Sequence, residues 1–119
     1  MITEETAKEF AQLWLNAWNS HDINSILEHY DNNVEFYSPL ISLLNFNKDG
    51  VIRNKTDLKT YFEIGLNAYP DLHFQFHHCF VGVDSFVIYY TSVNGRLAAE
   101  VFELNENNKA KRVLCNYTT

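Results

Sequence analysis

A single glutamate in an apolar segment is the strongest candidate for chemistry. Residues 97–104 alternate in type, and the alternation places Ala98, Glu100, Phe102 and Leu104 on one strand face. A carboxylate among apolar neighbours loses hydration, which raises its pKa and suits it to general acid–base catalysis. We therefore predict Glu100 as a catalytic residue. Two other interpretations stay open: a structural pairing of Glu100 with a buried Tyr, Trp or His, and a bulged strand that exposes it.

A histidine is the second candidate. From residue 72 the period becomes two, which puts His78 on one face with Leu72, Phe74, Phe76 and Phe80. Because imidazole titrates near neutral pH, His78 could shuttle a proton, although a hydrogen-bonded core histidine has the same pattern. His73 and His77 fall on the opposite face, so the histidines do not converge and we predict no metal site.

Aromatic residues are abundant enough, at 15% of the chain, to require an explanation. Bulky rings must pack, so either the core is unusually aromatic or rings line a pocket. We predict a pocket. Its predicted lining residues are Trp14, Trp18, Tyr30, Phe36, Ser38, Phe62, Tyr90, Phe102 and Tyr117.

Other familiar chemical motifs are absent from the sequence. No nucleophile elbow or nucleotide fingerprint occurs, and the four glycines form no phosphate cradle, so we predict no cofactor. Asp71 follows Pro70 and is predicted to shape a turn, with a role at the pocket mouth as the alternative.

Size and charge narrow the functional class. The 119 residues suit one domain spanning 1–119. The net charge is −6 and the basic residues are scattered, so nucleic acid is not an expected partner. Cys79 and Cys115 form no CxxC pair and are predicted to be reduced thiols. The start MITEETAKEF resembles no leader and no long apolar run follows, so we expect a cytoplasmic protein without a membrane partner.

The pattern of the chain predicts an α+β domain. Helices are predicted over 3–19, from Asp22 to about residue 30, and from Asn54 to Tyr69. Strands are predicted over 34–37, 72–80, 86–93, 97–104 and 111–117, with a hairpin turn at Asn94-Gly95. The apolar segment 39–53 is either a flap over a pocket or a loop packed on the core. Helices that precede a run of hairpin-linked strands pack on one face of an antiparallel sheet.

Four short motifs carry a resemblance to a known family. They are Ala17-Trp18-Asn19-Ser20-His21-Asp22, Tyr30-Asp31-Asn32-Asn33-Val34, Ser38-Pro39 and Tyr69-Pro70-Asp71-Leu72. In this order and spacing the chain resembles SnoaL-like domains of the nuclear transport factor 2-like superfamily. The resemblance implies a cone-shaped, curved, mixed but mostly antiparallel sheet, with three helices in the N-terminal half enclosing a pocket.

The resemblance suggests several functions. The superfamily includes polyketide cyclases, ketosteroid isomerases, dehydratases, epoxide hydrolases and non-catalytic binding modules. By comparison with ketosteroid isomerases, Ser38 occupies the position of the base, Trp14 that of the tyrosine donor, and Glu100 lies near the second acid. Because serine cannot take up a proton at neutral pH, steroid-type isomerisation is not expected.

We therefore expect a cofactor-free cyclase, isomerase or dehydratase that uses acid–base chemistry on a hydrophobic small molecule. The alternative is a non-catalytic small-molecule binder or a dimeric interaction module. A homodimer through the sheet is also implied, and the β-forming outer-face residues Val87, Tyr89, Thr91 and Val93 would supply its surface.

Overall fold

Four helices and one six-stranded sheet form the protein, as seen in a computed structural model that describes residues 1–119. The helices are α1 (Glu4–Ser20), α2 (Ile23–Leu27), α3 (Pro39–Leu43) and α4 (Lys55–Ala68). The strands are β1 (Tyr30–Tyr37), β2 (Val51–Ile52), β3 (Gln75–Val81), β4 (Phe86–Thr91), β5 (Leu97–Leu104) and β6 (Ala110–Tyr117). None of the helices is both long and apolar enough to cross a bilayer.

The sheet has the strand order β2-β1-β6-β5-β4-β3. Only the β1–β6 pair is parallel, and the other four pairs are antiparallel. The curved sheet is open and the helices pack on one of its faces, so the predicted α+β class with a mixed, mostly antiparallel sheet is confirmed. This order places β5 and β6 in the middle of the sheet, where side chains on the helical face have the least access to solvent.

Helix α1 covers the middle of that face. The Thr3 hydroxyl accepts a hydrogen bond from the Thr6 amide at 3.1 Å and caps the helix, as its sequence predicts. One stripe of the helix is buried and contains Ala7, Phe10, Ala11, Trp14, Ala17 and Trp18. Burial of such a stripe, rather than helix propensity, holds a helix of this length in place.

The end of α1 is tied to the chain just before β3. The side chain of Asn19 accepts a hydrogen bond from the Phe74 amide at 2.7 Å and donates one to the Phe74 carbonyl at 3.0 Å. His21 ends α1 in the left-handed conformation, and its ring Nε2 lies 2.7 Å from the Leu72 carbonyl oxygen. Asp22 then caps α2. These motif residues are therefore structural, because each satisfies backbone groups that the turn leaves unpaired.

The segment after β1 is more ordered than the sequence indicated. Ser38 caps α3 by accepting a hydrogen bond from the Leu40 amide at 3.2 Å, and Pro39 occupies the first turn, which favours helix. Leu40 and Ile41 are buried, so this part of the segment packs on the core. The boundary between α2 and β1 also differs from the prediction, since β1 already begins at Tyr30.

A bulge interrupts β3. Phe76 pairs with Tyr90, but the next residue to pair, His78, lies opposite Tyr89, so one extra residue is inserted in β3. Compared with an uninterrupted strand, a bulge of this kind places every following side chain on the opposite face of the sheet. His78 and Phe80 consequently lie on the outer face and are exposed. The predicted common face of Leu72, Phe74, Phe76, His78 and Phe80 is therefore wrong beyond the bulge.

Candidate functional site

Glu100 lies near the centre of the sheet and faces the helices. It pairs with Ile88 of β4 and with Cys115 of β6, and its side chain shares a face with Ala98 and Phe102. Only 3% of the residue is exposed. The alternation along β5 predicted this placement, and the interpretation in which a bulge exposes Glu100 is excluded.

A short hydrogen bond fixes the Glu100 carboxyl. The Tyr90 hydroxyl donates to its Oε1 at 2.6 Å, within the range of charge-assisted bonds. No Lys, Arg or His side chain forms an ion pair with it. Burial raises the pKa of Glu100 to about 7, although the hydrogen bond from Tyr90 and the nearby Cys115 thiol offset part of the rise. The group is therefore poised to exchange a proton at neutral pH.

The carboxyl borders a cavity of about 60 Å³ between the sheet, α1, α3 and α4. At roughly 10–15 Å³ for one water, this volume has room for about four to six water-sized groups. The wall is apolar and aromatic, and Glu100 is its only charged residue. The lining residues are Trp14, Trp18, Phe36, Leu40, Leu44, Tyr61, Phe62, Gly65, Tyr69, Leu72, Phe74, Tyr90, Ser92, Val93, Glu100 and Tyr117.

A second, larger concavity lies elsewhere on the surface. A groove of about 570 Å³ runs between α1, α2 and the turn before β6, and its wall includes Glu9, His29 and Lys109. It is polar, and it contains none of the residues predicted from the sequence. The inner cavity is the better candidate because it alone combines an apolar wall with a buried titratable group.

Most of the predicted lining residues border the inner cavity. Trp14, Trp18, Phe36, Phe62, Tyr90 and Tyr117 do so, whereas Tyr30, Ser38 and Phe102 are buried without lining it. The Tyr30 hydroxyl accepts a hydrogen bond from the Trp14 indole at 3.0 Å. The Phe102 ring stacks on Phe86, and Ser38 caps α3. These three residues therefore pack behind the residues that line the cavity and do not contact the cavity itself.

His78, the predicted proton shuttle, does not face Glu100. His78 lies on the outer face of the sheet, where its ring stacks against Tyr89 with centroids 6.3 Å apart. The sheet itself separates it from the cavity. The bulge in β3 is the physical reason, since it reverses which residues face the helices. Asp71 is exposed in its turn and does not border the cavity either.

Sequence reasoning did not single out several residues of the wall. The residues concerned are Leu40, Leu44, Tyr61, Gly65, Tyr69, Leu72, Phe74, Ser92 and Val93. The apolar character of segment 39–53 was a usable signal for Leu40 and Leu44, since a flap over a pocket was one of its two interpretations. Val93 was expected on the outer face of a strand, but β4 ends at Thr91 and Val93 turns inward.

Three tyrosines of the wall remain neutral donors at physiological pH. Burial raises the pKa of Tyr61, Tyr90 and Tyr117. Glu100 is therefore the one group of the wall that can accept and return a proton near pH 7. No group of three or more His, Cys, Asp or Glu side chains is close enough together to hold a metal ion. The arrangement can orient a small apolar molecule and move one proton on it.

The sequence matches a known family over most of its length. The model of the SnoaL-like domain matches residues 11–112. Comparison with curated proteins gave no match.

Solved structures are similar over the whole chain. A SnoaL-like protein of unknown function from Burkholderia thailandensis is 36% identical, with a TM-score of 0.94 and coverage of 100% of both chains. The epoxide hydrolase/cyclase-like enzyme SalBIII, which has a role in pyran ring formation in the polyether salinomycin, is 20% identical. Its TM-score is 0.78, over 100% of this chain and 95% of the enzyme.

A third similar structure, an NTF2-like protein of unknown function from Cytophaga hutchinsonii, has a TM-score of 0.72 at 14% identity. This alignment covers 99% of this chain and 95% of the other. At such low identity the second and third likenesses show the fold alone. The family match over residues 11–112 and the structure with 36% identity show more than the fold. They show that the chain belongs to the SnoaL-like domain family.

Proposed function

We propose that the protein binds a small hydrophobic molecule in the cavity beside Glu100 and catalyses a proton transfer on it. The reaction is of the cyclase, isomerase or dehydratase kind and uses no cofactor. The observation that carries the proposal is the placement of Glu100: it is 3% exposed, it is the only charged residue of an aromatic wall, and it is held by Tyr90.

The chemistry follows from the properties of that carboxyl. As a carboxylate, Glu100 removes a proton from a carbon next to a substrate carbonyl, and the electron pair of the C–H bond moves into the enolate. As the carboxylic acid, it returns the proton to the same or a neighbouring atom, so the group ends the cycle unchanged. A pKa of about 7 lets both forms exist at physiological pH. Tyr90 positions the carboxyl and stays protonated throughout.

An assay that does not require the natural substrate tests the proposal. Butanone has five non-hydrogen atoms, which suits the volume of the cavity, and deuterium incorporation at its α-carbons in D₂O can be followed by NMR. We expect the protein to accelerate the exchange and Glu100→Gln to reduce the acceleration by about 10²-fold or more. Glu106→Gln, in the exposed turn before β6, is the matched control. Exchange that equals the buffer rate, or that survives in Glu100→Gln, would reject the catalytic role.

Binding without catalysis is the second candidate function. One observation favours it: the wall holds a single carboxyl rather than a paired acid and base. Butanone that perturbs the emission of Trp14 and Trp18 without any exchange would support this candidate.

A further inference from the structure

The charge of the inner cavity is unbalanced. The Glu100 carboxylate is enclosed by apolar and aromatic groups, and no Lys, Arg or His borders the cavity. Its only strong partner is the neutral Tyr90 hydroxyl. A buried carboxylate is normally paired with a cation, because its lost hydration has to be replaced. The protein supplies no such cation, so the charge is neutralised either by a proton on Glu100 or by a cation that a ligand brings.

The rest of the wall also suits a cation. Nine aromatic rings border the cavity: Trp14, Trp18, Phe36, Tyr61, Phe62, Tyr69, Phe74, Tyr90 and Tyr117. Neighbouring rings pack edge to face against one another and form a continuous wall, with centroids 5.2 Å apart for Trp14 and Tyr90 and 4.7 Å apart for Trp18 and Phe62. An ammonium group is attracted to ring faces within about 6 Å, and tryptophan attracts it most strongly. A cavity bordered by aromatic rings and one carboxylate is therefore complementary to a positively charged, otherwise apolar group.

We propose that the cavity selects a small hydrophobic amine in its ammonium form, with the charge paired to Glu100 and the alkyl groups against the aromatic wall. The inference rests on the proposed function, because it takes the same cavity as the binding site and adds the ligand class. Anionic ligands are disfavoured, since no cationic side chain borders the cavity and the Glu100 carboxylate repels them. Neutral alcohols and ketones bind less well than an ammonium group to the ionised form of Glu100, because they leave its charge unpaired. The net charge of −6 also favours the approach of cations.

Proton binding to Glu100 competes with the ammonium ligand. The titratable groups that face Glu100 from other elements are Tyr30 of β1, Tyr61 of α4, Tyr90 of β4, and Cys115 and Tyr117 of β6. Burial raises the pKa of each of them, so they stay neutral between pH 6 and pH 8. Glu100 is the one group of the cluster that ionises in this range. Ammonium binding must therefore strengthen as the pH rises.

Two probes of equal size separate charge from shape. Tetramethylammonium and tert-butanol each have five non-hydrogen atoms, and only the first is charged, at any pH. The two tryptophans of the chain both line the cavity, so their emission reports occupancy. The titrations are run at pH 6 and pH 8 with ionic strength held constant by sodium chloride. NMR of the probe resonances provides a second readout.

We expect saturable binding of tetramethylammonium that is about tenfold tighter at pH 8 than at pH 6. The factor follows because the ionised fraction of a group with a pKa of about 7 rises from roughly 9% to roughly 91% over that range. Glu100→Gln, which keeps an acceptor for Tyr90, should lose this binding and retain that of tert-butanol. Since the pH series uses the unmodified protein, the test does not depend on the variant folding.

The outcomes distinguish this inference from the proposed function. If tert-butanol binds as tightly as tetramethylammonium at both pH values, the amine inference is overturned and the cavity remains the binding site. If neither probe perturbs the tryptophans or shows NMR contact with the protein, both proposals fail. Binding of tetramethylammonium that is independent of pH would show that Glu100 is not its partner and would also overturn the inference.

Discussion

The Tyr90 hydroxyl lies 2.6 Å from Oε1 of Glu100, and it links two neighbouring strands within the helical face of the sheet. Tyr90 pairs with Ala98 and Glu100 pairs with Ile88, so the two side chains are diagonal neighbours across β4 and β5. The bond opposes the effect of burial, because it stabilises the ionised carboxyl. Together with the Cys115 thiol, this hydroxyl keeps the pKa of Glu100 near neutrality in an environment that would raise it further.

Removing this hydroxyl should raise the pKa of Glu100 further. In Tyr90→Phe the carboxylate loses its donor, so we expect a pKa above about 7 and a loss of about 1.5–3 kcal/mol in stability at pH 8. Carboxyl carbon NMR of the folded protein measures the pKa, and chemical denaturation measures the stability. Tyr89→Phe is the matched control, because Tyr89 points to the outer face. An unchanged Glu100 titration in Tyr90→Phe would show that the bond has no electrostatic role.

Stability should fall as the pH rises through the titration of Glu100. The ordinary pKa of 4.5 applies to the unfolded chain and about 7 to the folded protein, so between these values only the folded state keeps the proton. The free energy of unfolding then decreases with pH, by about 3 kcal/mol in total between pH 4.5 and pH 7. Glu100→Gln should remove this component and make the protein more stable than the wild type at pH 8.

Chemical denaturation at pH 5 and pH 8 measures this effect. The comparison is made between wild type and Glu100→Gln, because contributions of all other groups are common to both and cancel in the difference. Glu106→Gln should retain the wild-type pH dependence, since Glu106 is exposed. Equal pH dependence in wild type and Glu100→Gln would mean that burial does not perturb Glu100.

The Asn19 side chain should contribute measurably to stability. In Asn19→Ala both hydrogen bonds to the Phe74 backbone are lost, and at about 1 kcal/mol for each bond we expect a destabilisation of about 2 kcal/mol. Asn16→Ala on the same helix is the control, because Asn16 is exposed and only accepts a bond from Gln12. Urea denaturation measures both. A loss for Asn19→Ala no larger than for Asn16→Ala would contradict the tethering role.

The position of Glu100 was predictable because β5 is regular. Its alternation is unbroken over Ala98, Glu100 and Phe102, so residue type alone identified the inward face. Helix caps were equally local, and Thr3, Asp22 and Asn54 each cap the helix that their sequence predicts. Signals of this kind depend on a few adjacent residues, which a single sequence contains.

The orientation of His78 was not predictable in the same way. The bulge before it depends on how β3 pairs with β4, and no residue in β3 marks an insertion by its type. A period-two pattern read through the bulge assigns the wrong face to everything that follows. The lining role of Phe74 and Leu72 likewise follows from tertiary contacts with α1, through Asn19 and His21. The sequence pattern contains no information about long-range contacts of this kind.

The outer face of the sheet carries the last prediction. Val87, Tyr89 and Thr91 alternate with buried residues of β4, and beyond the bulge Phe80 joins them with 55% of its surface exposed. We propose that two copies of the chain pair through this face, because pairing would cover the exposed rings. Sedimentation at micromolar concentration should then give twice the 13.9 kDa of one chain.

A charge in this face should separate the two copies. In the proposed dimer, Tyr89→Glu places a carboxylate either opposite the same carboxylate of the second copy or against apolar groups. Both arrangements favour monomers, because a buried charge needs a partner of opposite charge. Leu13→Glu is the control, since Leu13 is 52% exposed on α1, on the other side of the sheet, and the variant should remain a dimer. A wild-type protein that sediments as a monomer would reject the proposal. A dimer that survives Tyr89→Glu but not Leu13→Glu would place the interface on the helical side, and access to the cavity beside α1 would then depend on the partner.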